Sequence, residues 1–479
     1  MKQILPVSAE LLGALPPVDG AAVDRLLSEK LAKLDRKIVV LDDDPTGVQT
    51  VHGVYVYTDW SPATMKEAFA APEKMFFILT NSRGMTAAES REQHELMAKA
   101  IAMASRETGK DYIIISRSDS TLRGHYPLET ETLRRTLESC GGKRFDGEII
   151  YPFFKEGGRF TLDDVHYVRE GEQLTPAGMT EFARDKSFGY SSSDLREWCE
   201  EKTGGAFKAQ DVLSVSIGDL RALRTDKIAQ ELMGVKDFNK VIVNSADYVD
   251  VKAFMIAFLD ALEAGKEFMF RSAAAVTKIL GGVPDKPLLK RADLVSPGCA
   301  AGGLIVVGSH VNKTSRQLEK LRECRYPIEF IEFNQHLVLR EGGLEAERER
   351  VIDLTEKAVA EGRTAAVYTR RERLDLDTAD ADRQLEISMK ISDAVTGIVS
   401  GLKTRPSFII AKGGITSSDV GTKALAVKKA NVLGQIRPGI PVWQTGEESK
   451  FPKTPYVIFP GNVGEAETLR EAVEVLTAK

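Results

Sequence analysis

The sequence predicts an α/β protein of two lobes, each a mainly parallel sheet flanked by helices. From residue 37 onward, short β-branched and aromatic runs alternate with longer segments of helical periodicity, the pattern of strand–helix–strand units. The length of 479 residues suits two or three domains rather than one. Between residues 286 and 303 proline, glycine and small residues replace this alternation, which predicts a linker.

These observations divide the chain into four parts. Residues 1–36 form an N-terminal extension, residues 37–290 a first domain, residues 291–303 the linker and residues 304–479 a second domain. Ligands of open α/β sheets bind beyond the carboxyl ends of the strands. We therefore expect an active-site cleft between the lobes, lined by residues that directly follow the apolar runs.

The apolar runs give the predicted strands in order. In the first domain they are residues 37–41, 54–58, 76–80, 112–116, 148–151, 213–217 and 241–244. A helix is predicted over residues 87–106, where apolar residues recur every three to four positions. In the second domain the predicted strands are 304–307, 328–331, 365–368, 408–411, 442–444 and 456–459, with helices at 315–324, 344–361, 382–400, 418–430 and from 465.

Composition excludes several classes of protein. Hydrophobic residues make up 43% and charged residues 28%, as in ordinary globular proteins. Lys and Arg total 65 against 70 Asp and Glu, a formal charge of -5, so the basic excess that nucleic-acid binding needs is absent. The apolar stretches are far shorter than the ~20 residues that span a bilayer. With no apolar leader and four scattered cysteines, we expect a cytoplasmic protein without membrane or nucleic-acid partners.

Polar side chains follow three predicted strands of the first domain. These segments are residues 42–47 (DDDPTG), 81–84 (NSRG) and 116–124 (SRSDSTLRG). Arginine binds a carboxylate through two parallel hydrogen bonds, whereas Asp and Asn accept hydrogen bonds from hydroxyls, so the set suits a small charged polyhydroxylated ligand. Taken alone, each segment also fits a structural role, as a solvated turn or as a helix cap. Their recurrence at three strand ends favours a binding site.

A fourth segment, residues 151–159 (YPFFKEGGR), leaves two interpretations open. Its paired glycines fit a mobile loop that closes over a pocket, or an exposed connector. The six histidines show no metal-ligand spacing, so we expect structural roles for them.

Glycine-rich turns follow three strands of the second domain. They are residues 308–310 (GSH), 412–418 (KGGITSS) and 460–464 (PGNVG). A strand, glycines and then a helix N-terminus present backbone N–H groups to phosphate oxygens, so a nucleoside triphosphate is the expected ligand. The chain lacks an ordinary P-loop, because Asn312 stands where that motif requires a glycine before Lys313.

These motifs, in this order, resemble those of the four-carbon acid sugar kinase family over residues 37–476. The resemblance implies an N-terminal acid-sugar-binding lobe and a C-terminal ATP-binding lobe. It also implies phosphorylation of a terminal hydroxyl of D-threonate, D-erythronate or 3-oxotetronate, with ATP and Mg²⁺ as cofactors. Many relatives carry an acidic residue where this chain has Ile415.

The same resemblance assigns site residues by position. The sugar-acid contacts are Asp43, Asp44, Arg83, Asp119 and Arg123, and the nucleotide contacts are Ser309, Gly413, Gly414, Thr416 and Gly461. We hypothesise that Arg83 and Arg123 anchor the substrate carboxylate. Asp44 and Asp119 are the candidate proton acceptors, and the choice among them and Asp43 stays open.

Two other functions fit the sequence. One is a kinase for another aldonate, because a one-carbon difference amounts to only about 1 to 3 kcal/mol of discrimination. The other is a two-lobed sugar-acid sensor without catalysis, which the glycine-rich strand ends disfavour. A homodimer is the default expectation for such enzymes.

Overall fold

The structure is a computed structural model that describes residues 4–141, 143–372, 374, 381–461 and 463–478. The strands are β1 (Val7–Ser8), β2 (Lys37–Asp42), β3 (Tyr55–Tyr57), β4 (Met75–Leu79), β5 (Tyr112–Arg117), β6 (Gly147–Tyr151), β7 (Arg159–Leu162), β8 (Val165–Glu170), β9 (Gln173–Pro176), β10 (Leu213–Val215), β11 (Asn239–Val243), β12 (Phe268–Ser272), β13 (Leu304–Val307), β14 (Ile328–Phe333), β15 (Thr364–Thr369), β16 (Ile409–Lys412), β17 (Lys429–Arg437), β18 (Ile440–Thr445) and β19 (Pro455–Phe459). The α-helices are α1 (Gly20–Lys33), α2 (Pro62–Ala70), α3 (Ala87–Thr108), α4 (Leu128–Ser139), α5 (Leu195–Lys202), α6 (Ile217–Arg221), α7 (Thr225–Met233), α8 (Tyr248–Glu263), α9 (Ala274–Leu280), α10 (Arg291–Leu294), α11 (Asn312–Leu321), α12 (Gly343–Ala360), α13 (Ala381–Gly401), α14 (Gly414–Asp419) and α15 (Thr468–Thr477).

The chain divides into two compact units. Unit 1 contains the chain up to Thr50 together with Asp59–Pro284, and unit 2 contains Val51–Thr58 together with the chain from Asp285 onward. Each unit has a sheet flanked by helices, so the predicted α/β class with two lobes is confirmed.

Unit 1 is built on a parallel sheet in the order β10-β11-β6-β12-β5-β2-β4. Every residue of β2, β4, β5 and β6 is buried, as expected for a sheet covered by helices on both faces. The sequence missed β12, because its apolar run is interrupted by Arg271, which is only 1% exposed in the structure. This strand lies between β5 and β6, and therefore near the centre of the sheet.

A second, antiparallel sheet in unit 1 has the order β1-β9-β8-β7. Through β1, where Val7 pairs with Leu174, the predicted N-terminal extension joins this unit. Arg36, at the end of the extension, places its Nη1 atom 2.8 Å from Glu267 Oε1. Residues 4–36 are therefore an integral part of unit 1.

Unit 2 has a mixed sheet in the order β3-β17-β18-β19-β16-β13-β15-β14. The last five strands pair in parallel, whereas β3, β17 and β18 are antiparallel to their neighbours. The predicted helix over residues 418–430 is wrong beyond residue 424, because β17 begins at Lys429. Buried and half-buried residues alternate along β17, the period-two pattern of a strand.

Two boundaries differ from those predicted. Residues 51–58, placed by sequence in the first domain, contain β3 and belong to unit 2. The predicted linker is part of the same unit, where Leu294 and Val295 are buried in a hydrophobic core with Ile305 and Val457.

Local signals explain the predicted helix at residues 87–106, which the structure confirms as α3. Thr86 accepts a hydrogen bond from the backbone N–H of Glu89, whose side chain accepts one from the backbone of Thr86 in return. The helix ends at Gly109, whose φ of 67° is the left-handed conformation that glycine favours. No helix in the described part of the chain has an apolar stretch long enough to cross a membrane.

Candidate functional site

Three polar segments of unit 1 meet at the carboxyl end of its parallel sheet. Strands β5, β2 and β4 are neighbours in that order, so the loops that follow them start side by side. The segments 42–47, 81–84 and 116–124, each singled out from sequence, are these loops. Ion pairs that link all three show that they form one cluster.

Arg83 lies among three aspartates of this cluster. Its Nε atom is 3.2 Å from Asp43 Oδ2, its Nη1 atom is 3.8 Å from Asp119 Oδ1, and its Nη2 atom pairs with Asp44. The surrounding carboxylates raise the pKa of Arg83 against the opposing effect of burial. The guanidinium therefore stays charged and links the loop 81–84 to the loops 42–47 and 116–124.

A buried ion pair lies beneath these residues, and the sequence did not single out its arginine. Arg117, the last residue of β5, donates hydrogen bonds from Nη1 to Asp42 Oδ1 at 3.1 Å and to Asp43 Oδ1 at 3.2 Å. All three side chains are at most 5% exposed. The signal that could have identified Arg117 was a charged residue at the end of an apolar strand, two positions before the DSTLRG segment (residues 119–124).

Asp119 joins a second group of residues in the same cluster. Its Oδ2 atom is 2.7 Å from Arg123 Nε and accepts a hydrogen bond from the Thr121 hydroxyl. Arg123 also pairs with Asp185 at 3.8 Å, and its Cζ atom lies 5.0 Å from the centre of the Phe182 ring. The sequence missed the last two residues, which lie far along the chain from the motif.

Burial and nearby charges separate the four aspartates by pKa. Burial raises the pKa of Asp42 to about 7, and that of Asp43 to about 6, despite the opposing effects of Arg117 on both and of Arg83 on Asp43. Burial acts in the same direction on Asp44 and Asp119. There it is outweighed by Arg83 at Asp44 and by Arg123 and Arg83 at Asp119, so both pKa values fall below the usual range. Among these carboxylates, Asp42 and Asp43 are the stronger bases.

Glycine is required at the turn after the aspartates. A Cβ atom at Gly47 would lie 2.0 Å from Asp42 Oδ2, so a side chain there would displace the carboxylate. Thr46 N–H donates to Asp44 Oδ1 at 2.8 Å, which holds the turn closed. The sequence DDDPTG therefore fixes the directions in which its carboxylates point.

The glycine turns of unit 2 also come together. Thr314 Oγ1 donates to Ser309 Oγ at 3.2 Å and to the carbonyl of Gly461 at 3.3 Å. A Cβ atom at Gly413 would lie 3.2 Å from Ser309 Cβ and 3.3 Å from Thr416 Oγ1. Four of the predicted nucleotide contacts therefore lie around one point beyond strands β13, β16 and β19, and Gly414 follows as the first residue of α14.

Lys412, the last residue of β16, holds the turn at residues 460–461 in place. The sequence analysis did not select this lysine. Its Nζ atom, fully buried, donates to the carbonyls of Pro460 at 2.9 Å and Gly461 at 3.4 Å. Burial lowers the pKa of Lys412 to about 7, and Lys313 acts in the same direction. Ile415 in the same turn is 72% exposed. Asn462, part of the third glycine motif, lies outside the described residues.

No group of three metal-ligating side chains forms among the residues that the structure describes. The aspartates of unit 1 face arginines instead, which does not fit a dedicated protein site for Mg²⁺.

Comparison with known proteins identifies both units. Residues 38–280 match a family model described as the sugar-binding N-terminal domain, and residues 304–469 match one described as the nucleotide-binding C-terminal domain. The chain belongs to the four-carbon acid sugar kinase family. The cluster of Asp43, Asp44, Arg83, Asp119 and Arg123, here called the acid–arginine cluster, lies within the sugar-binding match. The glycine turns lie within the nucleotide-binding match.

Solved structures show the fold of the family. A proposed tRNA synthase from Salmonella typhimurium LT2 is 16% identical, with a TM-score of 0.63 over 91% of this chain and 98% of that one. The Haemophilus influenzae protein HI1011, of the DUF1537 family, is 17% identical, with a TM-score of 0.58 over 91% of this chain and 100% of that one. No curated protein matches the chain. At these identities the similarity establishes the fold alone.

Proposed function

We propose that this protein is an ATP-dependent kinase that phosphorylates the terminal hydroxyl of a four-carbon sugar acid. D-threonate, D-erythronate and 3-oxotetronate are the proposed substrates. The observation that carries the proposal is the acid–arginine cluster of Asp43, Asp44, Arg83, Asp119 and Arg123 in the sugar-binding unit. Carboxylates accept hydrogen bonds from sugar hydroxyls, and guanidinium groups pair with the acid.

The glycine turns of unit 2 are the proposed binding site for the phosphates of ATP. Phosphoryl transfer depends mainly on holding the γ-phosphate and the acceptor hydroxyl in line, while N–H groups and cations stabilise the charge on the transferring oxygens. The N–H of Gly413 already donates to the Phe459 carbonyl at 2.9 Å. The donors proposed for the phosphates are therefore the N–H groups of Gly414 and Gly461 and the hydroxyls of Ser309 and Thr416. Mg²⁺ would enter with ATP, bound to its phosphates, as part of the substrate.

An aspartate accepts the proton of the attacking hydroxyl in this proposal. Asp44 and Asp119 are the acceptors suggested by sequence, but their pKa values are lowered by Arg83 and Arg123, which makes them weak bases. The pKa of Asp43, about 6, is closer to neutrality. These electrostatics favour Asp43 as the base, with Asp44 and Asp119 orienting hydroxyls and arginines.

A coupled assay of ADP release across four- and five-carbon sugar acids tests the proposal. We expect ADP release to rise on addition of a four-carbon acid and to remain at the level without sugar for the matching alditols. Turnover only with a five-carbon acid would replace the substrate class. Binding of a sugar acid without ADP release from ATP would favour a sensor over a kinase.

A further inference from the structure

The guanidinium group of Arg159 makes no hydrogen bond or ion pair among the described residues. Arg159 is the first residue of β7, and its backbone is held by hydrogen bonds of 2.8 and 3.1 Å with Phe154. Its Nε atom is buried without a partner. The backbone is thus fixed, while the buried guanidinium has no hydrogen-bond acceptor, which is costly unless a ligand supplies one.

The position of this group places it beside the acid–arginine cluster. The Cζ atom of Arg159 lies 5.5 Å from the centre of the Phe182 ring, and Arg123 contacts the same ring at 5.0 Å. Burial lowers the pKa of Arg159, Asp119 opposes this and Arg123 adds to it, so both groups are close enough to interact. Two guanidinium groups therefore lie around one aromatic ring.

Gly157 leaves space next to the free guanidinium. A Cβ atom there would lie 3.3 Å from Arg159 Nη1 and 2.4 Å from Phe154 Cδ1. Gly157 thus has a steric role beside Phe154 and Arg159, rather than only that of a flexible connector.

The other arginines of the cluster already have carboxylate partners. Arg83 faces Asp43, Asp44 and Asp119, and Arg117 faces Asp42 and Asp43. A ligand carboxylate at Arg83 would have to compete with these groups and would be repelled by them. Arg123 also has partners, because its Nε atom is 2.7 Å from Asp119 and its Nη1 atom 3.8 Å from Asp185, so it would share a ligand carboxylate with them. Arg159 has no ion-pair partner among the described residues and would meet less competition, and sugar hydroxyls would suit the aspartates as donors.

We infer that Arg159 binds the carboxylate of the sugar acid, with Arg123 as the second guanidinium, and that the hydroxyl end of the substrate points toward Asp43 and Asp44. This inference rests on the proposed function and replaces Arg83 as the carboxylate anchor. Arg159 is then the residue that distinguishes a sugar acid from the corresponding alditol.

Calorimetric titration with D-threonate and D-erythronate tests this assignment in the full-length protein. Arg159→Met should weaken binding of the preferred acid about tenfold to hundredfold, the range for losing a charged hydrogen-bonded contact. Arg159→Lys, which keeps the charge but not the paired N–H geometry, should give an intermediate loss. Arg169→Met is the matched control, because Arg169 is an exposed residue of the neighbouring strand β8, and it should bind like the wild type.

Kinetic measurements separate a binding role from a structural one. In Arg159→Met, KM for the acid should rise while KM for ATP and the melting temperature stay close to wild type, and the preference for the acid over threitol or erythritol should fall. Unchanged acid binding, or an equal loss for acid and alditol, would overturn the assignment while leaving the kinase in place. Acid binding that depends on Arg159 without any ADP release would instead overturn the kinase.

Discussion

Arg83 Nε lies 3.2 Å from Asp43 Oδ2, and the same guanidinium pairs with Asp44. One cation therefore compensates two consecutive carboxylates, and Asp43 is only 3% exposed. These carboxylates are largely removed from water, so solvent screens their mutual repulsion weakly. Their stability therefore depends on the positive charge of Arg83 more than it would at a surface.

Loss of this arginine should destabilise the protein. Arg83→Met leaves Asp43 and Asp44 without their shared partner, and we expect a loss of roughly 3 kcal/mol in the free energy of unfolding, as for one partner of a buried ion pair. Urea denaturation at pH 8 measures it. Arg144→Met is the control, because that side chain is 84% exposed and should change stability little. Equal midpoints for the two variants would contradict this role of Arg83.

Replacement of single aspartates tests the assignment of the base. Asp43→Asn should lower kcat by about 10²- to 10⁴-fold, the usual contribution of a general base. It should also abolish the fall in kcat/KM on the acidic side of the pH profile, which reflects a pKa of about 6.

Asp44→Asn and Asp119→Asn should each lower kcat while keeping that acidic limb, because their own pKa values lie lower. If either variant loses the limb and Asp43→Asn keeps it, the base is the other aspartate. Unchanged turnover in all three variants would remove the aspartates from the chemistry altogether.

The raised pKa of Asp42 predicts a specific dependence of stability on pH. With a folded-state pKa of about 7 and an ordinary value of 3.8, the folded state binds more protons between these limits, so the contribution of Asp42 to stability falls as pH rises through this range. Asp42→Asn should flatten that decline. Urea midpoints at pH 5 and pH 8 measure the effect, with the exposed Asp237→Asn as control. An unchanged difference between the two pH values would refute it.

Two glycines of the nucleotide-binding unit should respond differently to alanine. A methyl group at Gly461 would meet Ser309 Oγ at 3.5 Å, an ordinary contact, so Gly461→Ala should fold normally yet raise KM for ATP about tenfold by obstructing the phosphates. Gly413 has a φ of 120°, so Gly413→Ala should also cost more than about 1 kcal/mol of stability.

Thermal unfolding and nucleotide titration distinguish these effects. Gly20→Ala is the control, since a methyl group there would contact nothing within 4 Å. Wild-type affinity for ATP in Gly461→Ala would exclude close approach of the phosphates to this turn.

The sequence predicted the parts of the site that are local in the chain. The aspartates, Arg83 and Arg123 follow apolar strands directly, and parallel pairing of β5, β2 and β4 brings those strand ends together. Arg159 ends the segment 151–159, for which the sequence left a pocket loop and an exposed connector open, and no local pattern indicated its place beside Arg123. Phe182 comes from the segment after the antiparallel sheet, a long-range arrangement that no local pattern encodes. Arg271 illustrates the same limit, because a charged residue that becomes fully buried conceals the strand that carries it.

The course of the chain through β3 affects how the protein can be dissected. Residues 51–58 leave the sugar-binding unit, add a strand to the nucleotide-binding unit beside β17, and return. A gene divided after residue 284 would therefore yield an N-terminal fragment carrying an orphan strand and a C-terminal fragment lacking one. The two halves should be recovered as folded species only when co-expressed, and limited proteolysis should not release either as an autonomous domain.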